Sequence, residues 1–237
     1  MSLGASGADP AIRARIDAPR RRNALTLSTV EHLYAVLGDD PHSTVLLGST
    51  TDDIFSSGAD LDVDDASRAQ LSDLLYACYE QIVTRPGIVI AVVEGPAVGG
   101  GAQLCAAADI RTISHAARWR WTGPGHGLAV GAWILCDLLG RSRGLDLALT
   151  SRWLEAEEAV AAGLAARVED DPWQKAQELA ESIGRADSAA VTRVKQIATR
   201  PSLIEHLSAE REQNRASWSG AAPSAREAAG HGRSLRA

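Results

Sequence analysis

Lysine is nearly absent from this 237-residue chain: two of its 24 basic residues are Lys and the other 22 are Arg. Aromatic residues make up only 4%, and six of those ten rings are Trp against a single Phe. No apolar run approaches the roughly 18 residues a membrane span requires; the longest, Ile88–Val93, is of strand length. Cysteine is sparse. Cys78, Cys105 and Cys136 are odd in number, far apart and set in apolar segments, which argues for buried free thiols over a disulfide framework or a metal site. Residues 1–10 hold no apolar stretch of the kind a secretory signal carries, so a cytoplasmic protein is expected. A formal net charge of −6 and a pI near 5.5 disfavour nucleic acid as a partner.

What is present is an ordinary globular balance, 45% hydrophobic and 23% charged, in a length that suits one large domain or two small ones. Ile12–Ile16 alternates like a strand, and Thr26 or Ser28 caps a helix running to about Leu37. Thr44–Gly48 reads as a buried strand, and residues 67–84 as a helix broken by Arg85-Pro86-Gly87. The β-branched run Ile88–Val93 leads into Gly99-Gly100-Gly101, a helix to about Ala108, and a strand at Asp109–Ile113. Strand and helix alternate through residue 170, the mark of an α/β domain. From Pro172 onward the pattern is helical only, over about 172–185, 187–198 and 201–218.

Three glycines between a strand and a helix let backbone N–H groups approach a ligand closely. The junction lacks the Gly-Lys-Ser/Thr of a P-loop and the G-x-G-x-x-G of a dinucleotide site, because Ala102-Gln103 follows Gly101. A backbone oxyanion site at the helix start and a tight turn used only for close packing both fit these residues.

The segment Ile90–Asp109, with Glu94-Gly-Pro-Ala-Val-Gly-Gly-Gly-Ala-Gln103 at its centre, resembles the signature of the enoyl-CoA hydratase/isomerase (crotonase) family. Arg22-Asn-Ala-Leu25, Phe55-Ser-Ser-Gly-Ala-Asp-Leu61 and Leu149–Leu164 resemble three further family segments in the same order, so the likeness covers residues 10–218. It implies an α/β fold, a crotonase-like spiral of β-β-α turns over residues 10–170. A C-terminal helical trimerisation part over 171–218 would follow, while the Gly/Ala/Ser/Arg-rich composition of 219–237 reads as a flexible tail or one held only by a neighbouring subunit. It also implies a homotrimer or dimer of trimers, and a CoA thioester as substrate or ligand with no other cofactor and no metal. The N–H groups of Ser57 and Gly100 are the implied oxyanion pair. Ala59, Asp60 and Leu61 are expected near the adenine, and Arg22 and Ala24 near the pantetheine or phosphates. Arg233 or Arg236 is the candidate to reach a neighbouring subunit's CoA phosphate.

The chain departs from the family's hydratases where their two catalytic glutamates sit. Gln103 occupies the first position and Gly123 the second, and no Asp or Glu lies between Asp109 and Asp137. Gln can orient a water but does not titrate near neutral pH, and Gly has no side chain. Hydration by paired carboxylates is therefore disfavoured. His126 is a candidate general base or a structural donor. Asp60 is expected to brace its loop, Asp62 and Asp137 to be solvated or ion-paired, and Cys105 to pack in the core. Trp119 and Trp121 alternate on a short strand and share one face, either filling the core or lining the acyl pocket together with Trp133. Three functions stay open: an acyl-CoA enzyme with non-standard acid/base groups, a non-catalytic acyl-CoA-binding or accessory subunit, and a structural trimer.

Overall fold

The computed structural model describes residues 11–217, so the expected tail and Arg233 and Arg236 lie outside the described residues. The chain begins with β1 (Ala11–Ile16), β2 (Ala24–Leu25) and α1 (Leu27–Asp39), then β3 (Thr44–Ser49), β4 (Gly58–Ala59) and α2 (Asp65–Thr84). Next come β5 (Val89–Val93), β6 (Pro96–Val98) and α3 (Gly100–Ala107), then β7 (Ile110–Ile113), β8 (Arg118–Arg120) and α4 (Ala132–Leu139). Helix α5 (Arg141–Thr150), β9 (Leu154–Glu155), α6 (Ala156–Ala161), α7 (Pro172–Gly184), α8 (Ser188–Ala198) and α9 (Pro201–Ser217) complete it. The β-β-α unit thus recurs through α4.

The first strand of each unit joins an all-parallel sheet in the order β1-β3-β5-β7, while the second strands form two small sheets, β2-β4 and β6-β8-β9. Parallel pairing needs a crossover between neighbours, and the intervening helices supply it. Every residue of β3 is buried, as befits a strand covered on both faces. One face carries α7, whose Ala176 and Ala180 pack on Leu46, Ile90 and Val92. The other face meets the main core, where Val30, Leu33 and Leu37 of α1 and Leu75, Tyr79 and Ile82 of α2 are buried.

Local chemistry sets the helix ends. Thr26 caps α1 by accepting from the Thr29 N–H, and Asp64 caps α2 by accepting from the Ser67 N–H, so α2 starts at Asp65, two residues earlier than expected. All three cysteines are free; Cys78 and Cys105 are buried, and burial pushes the Cys78 thiol up to about 12. No helix among the described residues is long and apolar enough to cross a membrane.

Helix α8 is held through one buried cation. Lys195 Nζ donates to the carbonyls of Ile82 (2.8 Å) and Gly87 (3.0 Å) and to Asp109 Oδ2 (2.7 Å), while the same carboxylate oxygen accepts the Val89 N–H at 2.8 Å. Burial pushes the Asp109 carboxyl up and the Lys195 ammonium down, and their mutual attraction opposes both shifts. Lys195→Met leaves a largely buried carboxylate without its cation, and removes the ammonium donor from two carbonyls. It is expected to cost about 3 kcal/mol in denaturant unfolding, and a cost under about 1 kcal/mol would contradict the role assigned to this pair.

Candidate functional site

Two loops and a helix start converge on one small cavity. The loop before β2 is anchored by buried Asn23, whose Nδ2 donates to Ser49 Oγ (2.6 Å), Thr51 Oγ1 (3.2 Å) and the Ile54 carbonyl (3.2 Å), and whose Oδ1 accepts the Ala18 N–H (2.9 Å). Asn23 and Arg22 both adopt left-handed backbone conformations, with φ of 52° and 53°. That turn aims the Arg22 carbonyl at the Ser57 N–H, 3.0 Å away. The expected oxyanion role of Ser57 is thereby corrected: its amide is already committed.

The neighbouring amides are placed differently. Gly58 N–H is taken by Ser56 Oγ at 3.1 Å, and Asp60 N–H reaches the Leu25 carbonyl at 3.0 Å across the β2–β4 ladder. Successive amides in a strand point to opposite sides, so the Ala59 N–H faces away from β2. Gly99, at φ +52°, turns the chain into α3, and the Gln103 N–H closes the first helical turn on the Gly99 carbonyl. The amides of Gly100, Gly101 and Ala102 precede that bond and have no acceptor within the helix. The loop and the helix start touch: a Cβ on Gly101 would stand 2.6 Å from Ser56 Cβ, and one on Gly58 would stand 3.8 Å from Gly100 N.

Ala59 and Gly100 both line a cavity of about 70 Å³, together with Leu71, Leu75, Tyr76, Tyr79 and Gln103. Gln103 is buried, and its Oε1 accepts from Trp133 Nε1 (2.7 Å) and the Gly131 N–H (3.1 Å). Trp133 stacks on Tyr79 at 6.1 Å, and the Tyr79 hydroxyl donates to the Gly100 carbonyl at 3.2 Å. Of the three tryptophans, Trp133 therefore backs the cavity floor. Trp119 and Trp121 are fully buried in the core and line no part of this cavity.

At Gly123 the backbone folds over the place a side chain would take. A Cβ there would meet the Leu128 carbonyl at 2.6 Å and Val130 N at 2.7 Å, and the side of the cavity is lined by Leu128 and Val130 instead. His126 follows in the same turn, half-buried, its imidazole held below its usual value by burial and the Arg68 guanidinium. It is not among the cavity-lining residues. Asp60 binds Arg21 Nη2 at 2.8 Å and its own loop at the Asp62 N–H (3.1 Å), while lining the cavity rim beside Leu61. Arg22 is exposed, and Ala24 is buried in β2 opposite Gly58. Asp137 lines a separate cavity beside Asp109.

One carboxylate was not expected here. Glu210, on α9, is 5% exposed and accepts from the Tyr76 hydroxyl (2.7 Å) and the N–H groups of Gly131 and Trp133 (both 3.0 Å). Asn214, one turn on, donates to Tyr76 Oη (2.7 Å) and to the Ala129 carbonyl (2.7 Å). The only sequence sign is spacing: Leu207, Glu210 and Asn214 fall on one helix face, so polar residues share a phase with an apolar one.

Burial pushes the Glu210 carboxyl above its usual range, with Tyr76 and the amides of Trp133 and Gly131 opposing the shift. The folded protein thus holds this proton more tightly than the unfolded chain. Stability contributed by the group is greatest in acid and falls as pH rises through the raised value. Glu210→Gln is expected to cost about 2 kcal/mol, and the difference from wild type should narrow as pH rises above the ordinary carboxylate range. A difference that widens with pH in thermal unfolding would overturn the assignment. Gly101→Ala is expected to cost about 1–3 kcal/mol by forcing α3 off the Ser56 loop; unchanged unfolding would show that the contact is slack.

The Enoyl-CoA hydratase/isomerase family description matches residues 11–229. A Mycobacterium bovis protein named "Probable enoyl-CoA hydratase echA6" is 30% identical over 210 residues, covering 86% of this chain and 84% of its own length. Among solved structures, an enoyl-CoA hydratase/isomerase from Xanthobacter autotrophicus superposes with a TM-score of 0.83 at 20% identity, over 92% of this chain and 88% of that one. An enoyl-CoA hydratase from Bacillus halodurans gives 0.80 at 20% identity, over 91% and 94%. At that identity the two structures show the fold alone.

Proposed function

The chain belongs to the enoyl-CoA hydratase/isomerase family, and from that premise we propose that it binds a CoA thioester with the acyl carbonyl oxygen between the N–H groups of Ala59 and Gly100. The observation that carries this reading is that Gly100, whose amide has no acceptor within the helix, lines the same small cavity as Ala59. Two fixed donors aimed at one oxygen stabilise the charge that develops there as an enolate forms. Each such donor is worth roughly 3–4 kcal/mol of barrier. The adenine lies beside Ala59, Asp60 and Leu61, and the pantetheine and phosphates run along the Arg22–Leu25 loop. The protein works in the cytoplasm as a homotrimer or paired trimers; the exposed Val194 (69%) and Ile197 (83%) of α8 support an apolar contact face.

Hydration of a double bond needs one group to take a proton from water and another to supply one to the α-carbon. The two positions where the family's hydratases carry glutamates offer neither. The Gln103 oxygen is committed to Trp133 and Gly131, and Gly123 has no space for a side chain. Enolate chemistry with at most one base, such as double-bond isomerisation, decarboxylation or thioester hydrolysis, suits this site better. A second reading, binding without turnover, is favoured by the buried carboxylate of Glu210 being held by three donors and by that of Asp60 being paired with Arg21.

Crotonyl-CoA is expected to bind without being hydrated, so its enoyl absorbance stays constant. A saturated acyl-CoA incubated with the protein in D₂O is expected to gain deuterium at the α-carbon, solvent taking the proton that leaves and returning a deuteron to the enolate. Binding with no exchange would select the second reading, and rapid hydration would overturn both.

A further inference from the structure

We infer that the second half of α9, residues 208–217, is a detachable strap whose release opens the turn 127–131 beside the small cavity. The motion belongs to the protein itself and holds whatever the cavity takes.

Composition divides α9 in two. Leu203, Ile204 and Leu207 pack against the main core, with Leu207 only 2% exposed. From Ser208 to Ser217 the helix carries no apolar side chain larger than alanine. Glu210 and Asn214 are the buried residues of that half, and polar contacts dock it. Arg211 Nε and Nη2 donate to the two Asp73 oxygens of α2 at 2.8 and 2.9 Å, and Arg215 Nε donates to Asp73 Oδ1 at 2.8 Å.

That makes release cheap. Polar contacts of this kind come close to balance when they are exchanged for water, and an undocked Glu210 regains the hydration that burial removes. Apolar burial, which water cannot replace, stops at Leu207. Opening therefore starts beyond Leu207 and leaves the first half of α9 in place, a local event well below global unfolding.

The turn depends on the strap. Asn214 holds both polar groups of Ala129: its Oδ1 accepts the N–H at 2.9 Å and its Nδ2 donates to the carbonyl at 2.7 Å. Glu210 accepts the N–H groups of Gly131 and Trp133, both at 3.0 Å. It thus caps the start of α4, where Gly131 has no side chain to do so. Gly127 and Gly131, at φ of 71° and 86°, bracket the segment, and a Cβ on Gly127 would meet nothing within 4 Å. Between them Leu128 and Val130 line the cavity, alongside Asn214 of the strap. With the strap undocked, Ala129 loses both partners and the turn pivots on its two glycines, carrying Leu128 and Val130 away. The cavity of about 70 Å³ is the closed state of a gated space.

Hydrogen–deuterium exchange of the purified full chain, resolved to single residues by mass spectrometry with fragmentation, tests this without any ligand. The amides of Ala129 and Trp133 are the reporters, because Asn214 and Glu210 are their acceptors. In the wild-type protein both are expected to be protected to the same degree as the amides of 212–217. All of these should be at least about tenfold less protected than Leu104 in α3 and Val92 in β5. Asp73→Asn weakens the hold on Arg211 and Arg215. It should lower protection at Ala129, Trp133 and 212–217 together by about fivefold, with Leu104 and Val92 unchanged. Protection at Ala129 and Trp133 equal to that at Leu104 overturns the inference. So does a variant in which 212–217 loses protection while those two amides keep it. The wild-type comparison decides the matter even if the variant does not fold.

Discussion

The side-chain oxygen of Gln103 is the point from which the polarity of the whole site follows. It receives the Trp133 indole and the Gly131 amide, and so ties the helix that starts at the three glycines to the start of α4. Glu210 reaches the same Gly131 amide from α9 and adds the Trp133 amide and the Tyr76 hydroxyl. Three segments far apart in sequence are therefore locked at one buried polar knot. A buried network of this kind is stabilising only when its members find partners, and here Tyr76, Glu210 and Asn214 are joined in one chain of hydrogen bonds that meets Gln103 at the Gly131 amide.

Much of the fold was legible from short-range patterns. The fully buried Thr44–Ser49 run, the β-branched Val89–Val93 run and the repeated strand–helix alternation reflect a sheet covered on both faces, and periodicity reports that directly. The site was legible only in part. Gly100 follows from the glycine-rich junction, because a helix start always leaves its first amides free. Choosing between Ser57 and Ala59 depends on which side of the chain each amide faces. That is set by the left-handed turn at Arg22 and Asn23 and by the pairing of two-residue strands, neither of which a residue pattern records. Glu210 lies more than a hundred positions from Gln103, and only the docking of α9 brings the two together.

The excess of tryptophan also takes on a narrower meaning. Trp119 and Trp121 fill the core. Trp133 alone bears on the site, by fixing which end of the Gln103 amide meets the cavity. The space beside Gly123 is not an empty pocket waiting for a group: the turn from Gly123 to Val130 folds into it. A glutamate side chain placed at Gly123 would have no room without moving that turn.

The central claim is that two backbone amides, on Ala59 and Gly100, polarise a thioester carbonyl. Isotope-edited infrared spectroscopy of an acyl-CoA labelled with ¹³C at the thioester carbon measures that polarisation directly. The account predicts that the carbonyl stretch of the bound ester moves to lower frequency than in water, because two preorganised donors replace solvent. A bound ester whose carbonyl stretch is unshifted, or shifted to higher frequency, would contradict it.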